Sequence, residues 1–104
     1  MDMDLPLSPE SPAFCVFMDY LNQNMVRPFG YQVFTAQFGP KYIRIVAHYH
    51  NPADGGSAYC FIERATGNVL KTASWKAPAK HVRGNILEGP EKFGLTQYGA
   101  VYLR

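Results

Sequence analysis

Residues 42–73, YIRIVAHYHNPADGGSAYCFIERATGNVLKTA, decide the fold. Three runs rich in β-branched and aromatic residues are separated by turn formers. The run 42–50 stops at Asn51-Pro52, and 57–64 (SAYCFIER) follows a loop holding Asp-Gly and Gly-Gly. Those breakers predict two strands joined antiparallel by a longish connection. In Glu63-Arg64-Ala65-Thr66-Gly67-Asn68-Val69, glycine stands where a positive φ is wanted. A type I turn closed by a glycine bulge therefore leads into a further strand over 68–73.

Toward the N-terminus, 31–38 (YQVFTAQF) predicts another strand, ended by Gly39-Pro40. Before it, Phe14, Phe17, Met18, Leu21 and Met25 recur at helical spacing, which gives 13–26 one apolar stripe. Asp19, Asn22 and Gln23 lie off that stripe. Ser11-Pro12 suits the start of the helix, Arg27 its C-terminal dipole, and Pro28 with Gly30 its end. Residues 1–12 have the composition of an acidic, Pro-rich tail, which leaves 13–104 as a single domain. Its expected class is α+β, an N-terminal helix packed on a small antiparallel meander of about four strands. Beyond Ser74 the pattern weakens, so an irregular C-terminal segment is expected, with 95–103 (LTQYGAVYL) as a last short strand weakened by Gly99.

The composition agrees with one packed domain. In 104 residues, 47% are hydrophobic and only 17% charged, a balance that supports a core and argues against disorder. No apolar run approaches the roughly 18–20 residues of a membrane helix, and the acidic start resembles neither a secretory signal nor a transit peptide. No membrane association is expected. Cys15 and Cys60 have apolar neighbours and no CxxC spacing, which predicts two buried thiols in a reducing cytoplasm, a long-range disulfide being the alternative.

The net charge of +2 says less than its distribution. Between Glu63 and Glu88 there is no acid, while Lys71, Lys76, Lys80 and Arg83 supply charge, His81 lies beside them and Trp75 offers a stacking plane. Cations interleaved with a ring suit a nucleic-acid backbone, because cations meet phosphates and rings accept base faces. The competing reading buries Trp75 and leaves the lysines solvated. A second constellation follows from strand alternation. It puts Ile43, Ile45, Ala47 and Tyr49 on one face with Ala58, Cys60 and Ile62, and Tyr42, Arg44, Val46, His48 and His50 on the other with Tyr59, Phe61 and Glu63. With the helix on the apolar face, the second face shows rings and cations, unless residues 75–104 fold over it.

Catalytic chemistry finds little support. His48 and His50 have a spacing that a third ligand, His81 or Asp54, could complete into a metal site. Paired histidines at a strand end are more often plain polar residues, so no metal or cofactor is assigned. Alternation separates Cys60 from His48, the acids form no obvious pair, and GxGxxG and GxxxxGK are absent.

The stretch 60–86, CFIERATGNVLKTASWKAPAKHVRGNI, resembles a motif in small uncharacterised proteins of tailed bacteriophages, notably marine and cyanobacterial ones. In those, a strand ending in an acid runs into T-G-D/N-V, then K-x-A-x-W-K-x-P-A-K and R-x-N. Thr66, Gly67, Asn68, Val69, Lys71, Ser74, Trp75, Lys76, Pro78, Ala79, Lys80, Arg83 and Asn85 carry the likeness. It implies expression in the cytoplasm of an infected bacterium and no particular activity. A fainter likeness to PepSY-like domains, whose hairpin reads D-x-x-T-G-x-V, supports only the turn at 63–69.

The expected function is a non-enzymatic binding module contacting nucleic acid or an acidic partner. Its candidate residues are Lys71, Trp75, Lys76, Lys80, His81, Arg83 and Asn85, with Tyr42, Arg44, His48 and His50 on the second face. The alternative is a protein-interaction factor that uses the aromatic face on a host or viral protein, a homodimer included. An enzyme or metal protein comes third.

Overall fold

In the computed structural model, which describes residues 6–24, 33–48, 56–89, 93, 95–96 and 99–100, the expected helix, α1, covers Pro12–Asn24. Pro12 opens it where no N–H is needed, and Cys15 N donates to Ser11 O at 3.0 Å as the first turn closes. Phe14, Phe17 and Leu21 are buried, as the stripe requires, and Met18 is half-buried. Met25, Arg27, Pro28 and Gly30 lie outside the described residues.

The packed body begins before the helix. Leu7 is fully buried in the main core, its N–H donates to Arg64 O at 2.9 Å, and its carbonyl accepts from Arg64 Nε at 2.8 Å. The expected tail is thus corrected for residues 6–11. Pro-rich composition does not prevent packing when one leucine between prolines can enter the core.

Five strands form one antiparallel meander in the order β1-β2-β3-β4-β5. They are β1 Val33–Phe38, β2 Tyr42–His48, β3 Ser57–Glu63, β4 Asn68–Thr72 and β5 Pro78–Asn85. The α+β class holds, and the helix lies on one face of the sheet. The fifth strand corrects the expected irregular segment. Pro78, Lys80 and Gly84 lower strand propensity, yet β5 is an edge strand, where proline and lysine are tolerated and block further pairing. The turn at 63–69 forms as expected. Gly67 has φ 80°, and its N–H donates to Glu63 O at 2.8 Å. Near the C-terminus, β6 Leu95–Thr96 pairs with β7 Gly99–Ala100. The described residues of the strand expected over 95–103 are thus two short paired strands, and the rest of that range lies outside the described residues.

The core face holds Phe34 of β1, Ile43, Ile45 and Ala47 of β2, Cys60 and Ile62 of β3, and Val69 of β4, under Phe14, Phe17 and Leu21. Phe93 packs edge-on against Phe17 with ring centroids 5.2 Å apart. One residue departs from simple alternation. Ile45 faces Cys60 while Val46 faces Ala58, so Tyr59 is the extra residue of a β-bulge. The bulge turns Tyr59 into the core, where it meets Phe34 edge-on at 4.7 Å, and leaves Ala58 opposite Val46 on the outer face. Alternation had placed both the other way, because one inserted residue inverts every assignment beyond it.

The first edge strand is satisfied by a side chain. Asn22 of α1 accepts from Phe34 N at 2.9 Å and donates to Phe34 O at 3.4 Å, acting as a one-residue neighbouring strand. Asn22→Ala should therefore destabilise the protein by about 1–2 kcal/mol, two hydrogen bonds near 1 kcal/mol each, in a urea titration. An unchanged midpoint would show that water replaces the amide without loss.

Candidate functional site

The outer face of the sheet is built around Arg44. Register places it on β2 between Gln37 of β1 and Phe61 of β3, with Leu70 of β4 beyond Phe61. The connection 73–77 is closed by Ala73 N and Ser74 N, which both donate to Ala77 O at 3.1 Å. Residues 73–77 are all exposed, yet the turn reaches back to Arg44, two strands away. Arg44 Nε donates to Trp75 O at 2.7 Å, Nη1 donates to Gln37 Oε1, and the guanidinium lies 4.5 Å over the Trp75 ring. Phe61 and Leu70 are buried, while Trp75 keeps 40% of its surface exposed.

Beside this contact lies a cleft of about 320 Å³, lined by 37–42, Arg44, Phe61 and Lys76. Lys41, Arg44 and Lys76 bring three cations to it, and no lining residue is acidic. Lys41 Nζ lies 5.3 Å over the Tyr42 ring, and Tyr42 packs edge-on to Phe61 at 6.4 Å. The 39–41 turn that forms the wall is held from behind by Arg64. Its Nη1 donates to Gly39 O at 2.8 Å, its backbone N to Lys41 O at 3.0 Å, and its guanidinium lies 5.4 Å over the Phe38 ring. The site is thus an electropositive cleft with aromatic walls, one of them tied down by Arg64, and is suited to an anion that carries a planar group.

The structure joins part of each predicted constellation and disperses the rest. Trp75 and Lys76 come to Tyr42 and Arg44. Lys80 and His81 are exposed on β5, and Arg83 Nε donates to His81 O at 3.1 Å. Lys71 is half-buried on β4. Asn85 is engaged in the fold. Its amide donates to Asn68 Oδ1 at 2.9 Å and to Thr66 O at 3.0 Å, and its Oδ1 accepts from Leu87 N at 2.7 Å, capping a 3-10 turn over Ile86–Glu88. His48 is buried, its Nε2 2.9 Å from Thr35 Oγ1. His50 and Asp54 lie outside the described residues. Since β2 and β5 are three strand spacings apart, roughly 14 Å, His81 is poorly placed to share a metal with His48. Among the described residues, no three His, Cys, Asp or Glu gather into a candidate metal site. With Tyr59 in the core and Phe61 buried, the exposed aromatic sheet face is much smaller than alternation implied.

Lys41 and Gln37 were missed. Lys41 follows Gly39-Pro40, which marks only a strand end, and Gln37 joins the site through cross-strand register. Pairing 31–38 with 42–50 about that turn would have put Gln37 beside Arg44.

Both cysteines are free, but only Cys60 is buried. Cys15 lies off the helical stripe and is exposed, which corrects the expectation of two buried thiols. Burial pushes the Cys60 thiol up, so it is protonated at neutral pH and a poor nucleophile. A thiol reagent such as Ellman's should titrate one cysteine in the native protein and the second only on unfolding. Two fast-reacting thiols would contradict the packing of β3.

The fold and site define a small α+β protein with an electropositive, aromatic-walled cleft on the sheet face that α1 does not cover. A family model described as a family of unknown function, DUF7717, matches residues 15–98, and the chain belongs to that family. No curated protein and no solved structure matches it. Among the described residues, no helix is long and apolar enough to cross a membrane.

Proposed function

We propose that this chain is a non-enzymatic binding module that holds single-stranded nucleic acid across the outer sheet face, centred on the Arg44–Trp75 cleft. One observation carries the reading: Lys76, distant in sequence from Lys41 and Arg44, lines one cleft with them and with Tyr42 and Phe61, and no carboxylate lines it. Cations meet phosphates, and rings accept base faces only where bases are unpaired. From Lys76 the chain continues into β5, which carries two further cations, Lys80 and Arg83. The resemblance to tailed-phage proteins supports the cytoplasm of an infected bacterium as the setting.

Fluorescence anisotropy of labelled single- and double-stranded oligonucleotides tests this reading. Three phosphate contacts give a salt slope near −2, so single-strand affinity should fall about 20-fold between roughly 50 and 200 mM salt. Lys41→Ala/Lys76→Ala should reduce both the affinity and the slope. Absence of binding at low salt would overturn the reading. Equal competition by an acidic polypeptide would replace it with an acidic protein partner.

A further inference from the structure

We infer that the cleft beside Arg44 and Trp75 is a subsite for one nucleotide and takes a free nucleoside 5′-monophosphate; the choice of ligand rests on the nucleic-acid reading above. Its volume, about 320 Å³, is at the small end of the range for ligand pockets, roughly 300–1,000 Å³, and suits one nucleotide better than a run of them.

Arg44 is prepared for a phosphate. Nε is committed to the Trp75 carbonyl and Nη1 to Gln37, while the Trp75 ring lies against the guanidinium. Among the described residues, Nη2 has no hydrogen-bond partner, so the fork is oriented with donors to spare. A fixed guanidinium loses little freedom on meeting a phosphate oxygen. Lys76 lines the same cleft and adds a second cation.

The base is assigned to Tyr42. Its ring is half-buried, is held edge-on by Phe61, and carries the Lys41 ammonium at 5.3 Å. An arriving base displaces that ammonium from the ring, and Lys41 turns to the phosphate. The recognised unit is therefore ring plus charge, and neither half alone satisfies the cleft.

Trp75 is the only tryptophan in the chain and lies against Arg44, which lines the cleft, so intrinsic fluorescence reports on the site through that contact. The protein is titrated with adenosine and uridine 5′-monophosphates, the matching nucleosides, and inorganic phosphate. The monophosphates should give a saturable change, with nucleoside and phosphate each about tenfold weaker or more, as expected when one half of the recognised unit is lost. Tyr42→Leu and Lys41→Ala should each weaken monophosphate binding about fivefold or more, while Val16→Ala, on the exposed side of α1, should not. Lys41→Ala matters because its side chain anchors no backbone group, unlike Arg44, which fixes the 73–77 turn.

Inorganic phosphate binding as tightly as the monophosphate would overturn the inference in favour of a simple anion site. Absence of saturable change would overturn it too. If oligonucleotides bind but monophosphates neither compete nor alter Trp75 emission, the single-nucleotide subsite fails and the strand reading stands. If monophosphates bind and oligonucleotides do not, the strand reading fails and the subsite stands.

Discussion

Phe17→Ala is expected to destabilise the protein by about 3–5 kcal/mol, the usual loss for a buried phenylalanine truncated to alanine. Phe17 is fully buried at the centre of the helix–sheet contact, with Phe14 at 6.5 Å and Phe93 at 5.2 Å between ring centroids. Its removal opens a cavity that neither α1 nor β2 can close without losing contacts elsewhere. Single domains are stable by about 5–15 kcal/mol in total, so the variant would unfold at a far lower urea concentration. Val16→Ala, one position away and 56% exposed, should stay within about 0.5 kcal/mol of the parent. Comparable losses for the two would contradict the orientation of the helix.

The second large effect is expected at Arg64. Its guanidinium donates to Leu7 O and Gly39 O, each at 2.8 Å, and covers the Phe38 ring. Arg64→Ala leaves two carbonyls of a partly buried site without their charged donor. Hydrogen bonds to charged groups contribute about 1.5–3 kcal/mol each, which gives an expected loss of about 3 kcal/mol after partial replacement by water. In a domain of this size the melting temperature should fall by more than about 10 °C. Arg64→Lys should recover little, since one ammonium cannot reach both carbonyls with the geometry of the fork. Full recovery by lysine would mean that charge alone, not the bridge between the N-terminal segment and the cleft wall, carries the effect.

The helix and the hairpin at 63–69 were legible because their signals are local. Phe14, Phe17 and Leu21 declare a buried stripe by spacing, and Gly67 declares a positive φ by identity. Features set by cross-strand register were not legible. Tyr59 enters the core because of a bulge opposite Ile45 and Val46, and nothing within 57–64 marks that position. The edge strand β5 was hidden by Pro78 and Gly84, residues that oppose a central strand but are acceptable at an edge. Leu7 was hidden by the prolines around it.

The candidate site was half legible for the same reason. Trp75 and Lys76 drew notice as a basic aromatic segment, and Tyr42 and Arg44 as one face of a strand. Their meeting depends on the 73–77 turn reaching back until the Trp75 carbonyl accepts from Arg44 on β2. That contact spans three strands and thirty-one positions in sequence, beyond any local pattern. The consequence for function is that the positive charge between Glu63 and Glu88 divides. Lys76 joins Lys41 and Arg44 in a built cleft, whereas Lys80, His81 and Arg83 lie along the open edge.

A heteronuclear NMR titration of the intact protein with a short single-stranded oligonucleotide would show whether the cleft, rather than the basic edge, is where a strand is held. With the strand in the cleft, amide shifts should concentrate at 41–44, Phe61 and 74–76 and saturate together, with weaker changes along β5. Shifts confined to 80–83, or none at a concentration where the strand is in excess, would contradict it.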